Sequence, residues 1–482
     1  MDKQYASSFE VKQIAIYKVG NESKPYANLA GDMCKMFQYF EDIFWPSYAA
    51  TMVIQDSAEN LISTMPIQGG EKVVVEVDDL TGTSGENNGV YSYEFRVWNI
   101  SNRVGTLRNQ TYTLGLISEE GLRNEAKTVN RIVEGNTSTQ VKKILGEYLG
   151  VPDQKMDIEA SASNIKILPM KKSPYTFIKS LLPRTLSDKA AVNIKKPDTS
   201  KTKLDTNITD GPDAEAKTGT GTAGYLFFQT NRGHVFRSID SLVSSTPSEY
   251  NGTPVQSDTF FYQPAKLSEP SLFRIQEIVF GREFDMIKKL REGHYSSILC
   301  SFNINTLTYD EQVYNLGENW EKMAHLGSQT KLPEAQMTLS SIPSRVMSTI
   351  IDNEVHNNTT KIASVEDGGT GTHQYQDLQK HFLSQGLARA GILFNQQLTI
   401  SVTGHLELCA GDKIEIRIPE QVSEAMKGES TYDPEHSGTY LIKQVNHQFN
   451  MTDGRKLDTC LLYTSDAADE RSSVDLGGRR II

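Results

Sequence analysis

Few residues in this chain have both the type and the spacing that chemistry needs. Gly219, Gly221 and Gly224 fit GxGxxG, the spacing that lets backbone approach a dinucleotide pyrophosphate. Such a loop follows a strand and opens a helix. Here it follows a polar stretch and enters Tyr225-Leu226-Phe227-Phe228, which reads as a strand. That context predicts no nucleotide site, and there is no phosphate-loop lysine motif. Nine histidines are scattered along the chain. His373 and His381 would fall about 80° apart on one helix. His405 and His447 lie on segments that read as neighbouring strands, where they could meet. No HxxxH, HExxH or Cys/His spacing supports a metal, so no metal and no cofactor are expected. The adjacent acids Asp78/Asp79 and Glu119/Glu120 would point to opposite faces in strands. A glycosidase needs two carboxylates flanking one bond, about 5 to 10 Å apart. No Gly-x-Ser-x-Gly elbow occurs. Cys34, among Met and Phe, reads as a core residue rather than a nucleophile. The sequence therefore nominates no catalytic residue, and assembly is the first reading. The alternative is a glycan or peptide hydrolase, or a β-sandwich that binds carbohydrate on its Thr/Asn-rich faces.

Composition sets the frame for that absence. The chain has 482 residues, 38% hydrophobic and 23% charged, with a net charge of −11. This suits about three globular domains of ordinary composition. An acidic surface repels phosphates, so nucleic acid near it would be guided rather than gripped. The N-terminus has no basic and apolar leader pattern, and no apolar run approaches the roughly 20 residues of a membrane helix. Four widely spaced cysteines form no disulfide framework and favour a reducing compartment. The run from Cys460 to Ile482 resembles translated adaptor sequence, so residues 460–482 are expected to be unstructured and the natural strand to be cut near Thr459.

Hydrophobic period then places the elements. In Gln396–Glu420, Leu398, Ile400 and Val402 alternate with polar residues, and so do Ile414, Ile416 and Ile418. Such alternation marks half-buried strands, here joined through Ala410-Gly411-Asp412. Gly438–Phe449 supplies a third run. The first 118 residues repeat this character, with a phase change between Val11 and Ile14 that predicts a bulge. Met33, Met36, Phe37 and Phe40 have helical spacing, so Asp32–Phe44 reads as a short helix or a loop. Val141, Ile144, Leu145 and Tyr148 predict a helix over 137–149 that ends at Gly150, with Thr137 and Gln140 as a capping box. Ser173-Pro174 starts a second helix. Gln376–Leu393 predicts a third. Residues 187–222 read as a flexible insert.

The fold class expected is α+β, mostly β. Two antiparallel barrel or sandwich domains flank an α+β middle. The first spans 1–118, the middle 119–267, the second 268–316 plus 395–459, with an α/β insert at 317–394 packing on the middle.

Four stretches together resemble the central baseplate hub family of T-even-type contractile-tailed phages. They are SFEVKQIAIY; TQVKKILGEYLG; SPYTFIKSLLPRTLSD, followed after the insert by GYLFFQTNRGHVFRSIDSL; and GHLELCAGDKIEIRIPE with GTYLIKQVNHQF. The resemblance implies a non-enzymatic homotrimer in the virion tail baseplate, assembled in the host cytoplasm. Each chain would hold two tail-tube-like β domains, giving a ring of pseudo-sixfold symmetry. The implied partners are the central spike or tail lysozyme protein, the tail tube or its initiator proteins, and other baseplate proteins. DNA would pass through the lumen without specific binding, and no membrane insertion is implied. The strand Leu398–Val402 is expected to be an edge available for sheet extension between subunits.

Overall fold

The structure, a computed structural model, describes residues 9–187 and 223–465 apart from interruptions, the longest being 57–65, 80–89, 263–272, 327–341, 352–358, 363–370 and 420–431. The insert 187–222 lies outside the described residues except for Ser187. The architecture is mostly β with a smaller helical share, as the alternating pattern predicts.

Six strands make the first set: β1 (Phe9–Tyr17), β2 (Cys34–Asp42), β3 (Ala49–Asp56), β4 (Lys72–Asp79), β5 (Val90–Gly105) and β6 (Gln110–Ile117). They pair in the order β1-β4-β5-β6-β3-β2. β3 shows why: Ala50, Met52 and Ile54 face inward while the residues between them are half-exposed. The core gathers Phe37, Tyr39, Met52, Val75, Tyr93, Phe95 and Leu114. The bulge expected in β1 lies between Val11 and Gln13. β2 is a strand and not the short helix that its spacing allowed. A bulge between Cys34 and Met36 shifts the phase, so apolar residues fall three and four apart along an extended chain.

The middle carries helices α1 (Glu119–Ala126), α2 (Thr137–Ile144) and α3 (Pro174–Leu181). α2 continues into a π turn over Leu145–Leu149, and Gly150 closes it at φ 74. The cap of α2 is Asn136, one residue before the expected Thr137, and the Gln140 amide donates instead to the Glu134 carbonyl at 2.8 Å. Strands β7 (Tyr225–Thr230) and β8 (Gly233–Ser238) follow and are buried throughout. Each serves two cores at once. Tyr225 and Phe227 face the helices, while Leu226 and Phe228 face the second strand set. Burial on both faces explains the unbroken apolar run YLFF. Helix α4 (Ile239–Ser244) comes next.

The second set begins with β9 (Thr259–Tyr262) and β10 (Arg274–Phe280). The chain then leaves it through α5 (Met286–Glu292), β11 (Ser296–Asn303), β12 (Thr308–Asn315), β13 (Arg345–Ile351) and α6 (Tyr375–Ile392). β11 and β12 do not join the second set, where 268–316 was expected to place them. They form a separate three-stranded sheet in the order β12-β11-β13, one face of which packs Tyr314 against Ala388 and Ile392 of α6. The chain returns with β14 (Gln396–Thr403), β15 (Lys413–Arg417), β16 (Gly438–Asn450) and β17 (Lys456–Ser465).

β17 overturns two expectations. It runs six residues past Thr459, so Cys460–Ser465 form a paired strand; residues 466–482 lie outside the described residues. It also pairs with β14 from Asp458 to Ser465, and β10 pairs with the other side of β14. Leu398–Val402 is therefore an interior strand and not an edge. Alternation shows that one face is buried, but it cannot tell how many neighbours a strand has.

The second set has the same order as the first. Numbering its strands by appearance, β9, β10, β14, β15, β16 and β17, the neighbours are first-fourth-fifth-sixth-third-second in both sets. Both carry a bulge at the same place in the second strand, between Cys34 and Met36 and between Ile275 and Glu277. Both carry one in the fifth strand, between Val97 and Asn99 and between Ile442 and Gln444. Two features differ: the first strand is antiparallel to the fourth in the first set and parallel in the second, and β5 has a second bulge, between Ser101 and Val104, that β16 lacks. Neither set is a regular closed barrel. No ladder joins β1 to β2 among the described residues, and β9 bridges the second seam with two short parallel ladders.

β16 joins the sets. One of its edges follows β17. The other pairs with β15 from Gly438 to Leu441, then with β2 from Gln444 to Asn450. The change of partner falls at Lys443, whose carbonyl accepts from the Ile43 amide at 3.0 Å. The result is one continuous sheet through both sets.

Candidate functional site

A buried polar cluster lies where the two strand sets and the middle meet. Three turns bring it together: the end of β2, the tight turn Asn231-Arg232 between β7 and β8, and the segment Glu407–Asp412 between β14 and β15. The Glu41 carboxylate is 1% exposed. Its Oε1 accepts from the Tyr39 hydroxyl at 2.6 Å and from the Asn231 amide at 2.7 Å. Its Oε2 accepts from the Ala410 amide at 2.8 Å. One side chain thus ties together the first set, the middle and the second set.

Arg232 completes the cluster. Its guanidinium forks onto Asp412, with Nη1 to Oδ1 at 2.7 Å and Nη2 to Oδ2 at 2.9 Å, and also donates to the Glu407 carbonyl at 2.6 Å. Asp412 Oδ2 accepts from the Cys409 amide as well. A planar fork matched to a carboxylate fixes direction as well as charge. Gly411, at φ +90, lets the turn lie flat on the Phe228 ring; a Cβ there would stand 2.7 Å from Phe228 Cζ. The Tyr39 ring also stacks on His447 of β16, with centroids 6.0 Å apart.

The electrostatics follow from burial. Desolvation pushes Glu41 up to about 7, opposed by the Tyr39 hydroxyl, the two amides and the Arg232 charge. Burial lowers His447 to about 3 and His234 to about 4. The signs are opposite. A carboxyl raised above its ordinary 4.5 contributes stability that is full below that value and is lost as pH rises through about 7. The histidines lose theirs as pH falls from 6.5 through 4 to 3. Glu41→Gln does not titrate, and the histidine contributions are common to both proteins. The stability gap between wild type and Glu41→Gln should therefore narrow between pH 5 and pH 8, by about 3 kcal/mol at most. Urea unfolding at each pH checks this; a gap independent of pH would show that Glu41 has an ordinary carboxyl pKa in the fold.

The residues singled out by the sequence do not converge. Gly224 precedes β7 directly, and Gly219 and Gly221 lie outside the described residues. His373 lies on the short strand Gly371–Gln374 and His381 on α6, so they do not share a helix. His405 and His447 are both buried and close enough to interact electrostatically, but each has another neighbour: His405 Nε2 lies 3.0 Å from Asp258 Oδ2, and His447 stacks on Tyr39. Cys34 is a core residue whose thiol burial pushes up to about 12. Asp78 pairs with Lys12 at 3.1 Å. Glu119 and Glu120 open α1 rather than a strand, where the helix N-terminus favours them. Glu119 pairs with Arg123 and Arg96, and Glu120 accepts from Gln229. Among the described residues no three His, Cys, Asp or Glu groups converge as a metal site would require. The cluster that does form, Glu41, Arg232 and Asp412, was not foreseen. Its one sequence signal is at Arg232, a charge set into the turn between two strands that are buried on both faces.

No protein-family pattern matches the chain, and no curated protein does. Among solved structures it is similar to the 43 kDa tail protein of prophage MuSo2 from Shewanella oneidensis, at 10% identity and TM-score 0.49, over 96% of this chain and 100% of that one. It is similar to a tail protein from Neisseria meningitidis, at 10% identity and TM-score 0.47, over 96% and 98%. It is also similar to a prophage tail protein of Listeria monocytogenes, at 9% identity and TM-score 0.41, over 94% of each chain.

Proposed function

We propose that this chain is a structural protein of a phage tail, the homotrimeric central hub of a baseplate. It would join the sixfold tail tube to the threefold spike and line part of the DNA channel. The observation that carries the reading is the repeat of one six-strand order, with matched bulges in the second and fifth strands, within a single chain. A chain with two equivalent units presents three copies as six positions, and that reconciles a sixfold neighbour with a threefold one. On this reading the first unit spans residues up to about 118, and the second spans 259–280 plus 396–465.

The rigid junction at Glu41 and Arg232 supports the same reading. Two units held by a shared strand and a buried ion pair keep a fixed angle, as a ring element must. The net charge of −11 suits a channel wall that does not hold DNA. The spike or tail lysozyme and the tube or its initiator proteins would be the axial partners, in the virion, with assembly in the host cytoplasm. The resemblance of the sequence to the hub family supports these assignments.

Light scattering on the purified protein tests the trimer. Three chains of 53.8 kDa should give about 161 kDa. A mass of one chain at all concentrations up to the millimolar range would sink the proposal.

A further inference from the structure

We infer that copies of this chain join by adding strand β10 of one copy to the free edge of β5 in the next, with Val104 facing Val279 across the junction. This rests on the ring reading above and names its interface.

One such junction is already made inside the chain. There, the fifth strand of the second set, β16, pairs beyond its bulge with the second strand of the first set, β2. The counterpart pair is the fifth strand of the first set, β5, and the second strand of the second set, β10. These two do not meet within one chain. β5 pairs with β4 only as far as Arg96, and the Gly70 and Glu71 backbone groups hold Val97. Beyond its bulge, from Asn99 to Gly105, that edge meets no strand among the described residues. It corresponds to the stretch of β16 that begins at Gln444, but a second bulge, between Ser101 and Val104, makes it one ladder position shorter than Gln444–Asn450. β10 meets β9 only at Arg274 and Ile275. Its outer edge from Gln276 to Phe280 meets no strand among the described residues. Among the described residues each chain therefore has one filled junction and the two unfilled halves of an equivalent one.

The register follows from the same equivalence. The ladders of the fifth and sixth strands start at Arg96 with Ile117 and at Leu441 with Thr464. Six residues back along the sixth strands, Thr111 faces Val104 and Asp458 faces Gln448. Val104 is thus the counterpart of Gln448. In the same way Ala49 faces Ile117 and Gln397 faces Thr464. Two residues on, Thr51 faces Gln38 and Thr399 faces Val279. Val279 is thus the counterpart of Gln38. Gln448 pairs with Gln38 inside the chain, so Val104 should pair with Val279 of the next copy.

The side chains fit this arrangement. Val104 is 66% exposed and Val279 51%. Phe280 and Trp98, beside them, are 42% and 58% exposed. Two free edges that carry large apolar residues would associate unspecifically if nothing covered them. Joining unlike edges head to tail makes a heterologous interface, which closes into a ring when the rotation allows. Three copies would give six equivalent junctions, three within chains and three between them.

Paired cysteines test the register. Residues directly opposite in an antiparallel ladder have Cβ atoms about 4.5–5.5 Å apart, close to disulfide reach. The Val104→Cys/Val279→Cys protein, oxidised by oxygen with copper–phenanthroline, should run as covalent dimer and trimer on a non-reducing denaturing gel. Wild type and each single variant should not. Both sites are exposed, so the thermal transition of the reduced double variant should match wild type. A trimer by light scattering whose cysteine pair does not cross-link overturns this interface and leaves the hub reading standing. A protein that is monomeric at every concentration overturns the ring reading, and this interface with it.

Discussion

Arg232→Met should lower the stability of the folded chain by about 3–5 kcal/mol. The cause is the company the guanidinium keeps. The Asp412 side chain is 8% exposed, and Glu41 behind it is 1% exposed. Without Arg232, one buried carboxylate loses both charge-assisted bonds and the other its nearest cation. Removing one partner of a buried pair leaves an uncompensated charge, which costs far more than the pair contributes. Arg232→Lys should recover only part of the loss, because an ammonium cannot span both Asp412 oxygens and the Glu407 carbonyl together. The midpoint of urea unfolding measures this. A loss under about 1 kcal/mol for Arg232→Met would mean that the pair is solvated, as surface pairs are.

Arg389→Leu should have an effect of similar size, about 3–5 kcal/mol, at a different junction. Arg389 on α6 and Asp240 on α4 pair at 1% exposure each, and the Asp240 carboxylate also accepts from the Ala324 amide at 3.0 Å. This contact fastens the helix of the insert to the middle of the chain. The Arg389→Leu/Asp240→Leu double variant should be more stable than Arg389→Leu alone, because no buried charge is then stranded. A double variant that loses the sum of the single losses would contradict this account, since independent sites add.

Much of the fold was legible because period and burial are local. Alternation found β1 with its bulge and β3 to β6 of the first set, and β14, β15 and β16 of the second; it missed β2, β9, β10 and β17. Capping and glycine signals found α2 and α3 to within a residue. The failures share a cause, which is that neighbours are not local. Nothing in Ser296–Asn315 says that its hairpin pairs with Arg345–Ile351 and not with the large sheet. Nothing in Leu398–Val402 says that strands lie on both sides. One of those neighbours includes Cys460–Ser465, the residues that resembled adaptor sequence.

The junction was hidden for the same reason. Glu41, Arg232 and Asp412 are separated by well over a hundred residues, and each alone reads as an ordinary charge at or near the end of an element. Only the fold brings them together. The internal repeat was half visible. Two β-rich regions could be seen in the sequence, but their common strand order and matched bulges appear only in the pairings, because the two sets share form rather than residues. Gln38 and Val279 occupy equivalent places.

The most direct test of the central claim is to image the assembled particle, by class-averaging electron micrographs of the purified protein viewed down its axis. The repeat predicts a ring of six near-equal lobes built from three chains, with alternate lobes distinguished by the three-stranded sheet β12-β11-β13 outside the second set. Rings with some other number of lobes, or isolated two-lobed particles at the concentrations where light scattering reports assembly, would contradict it.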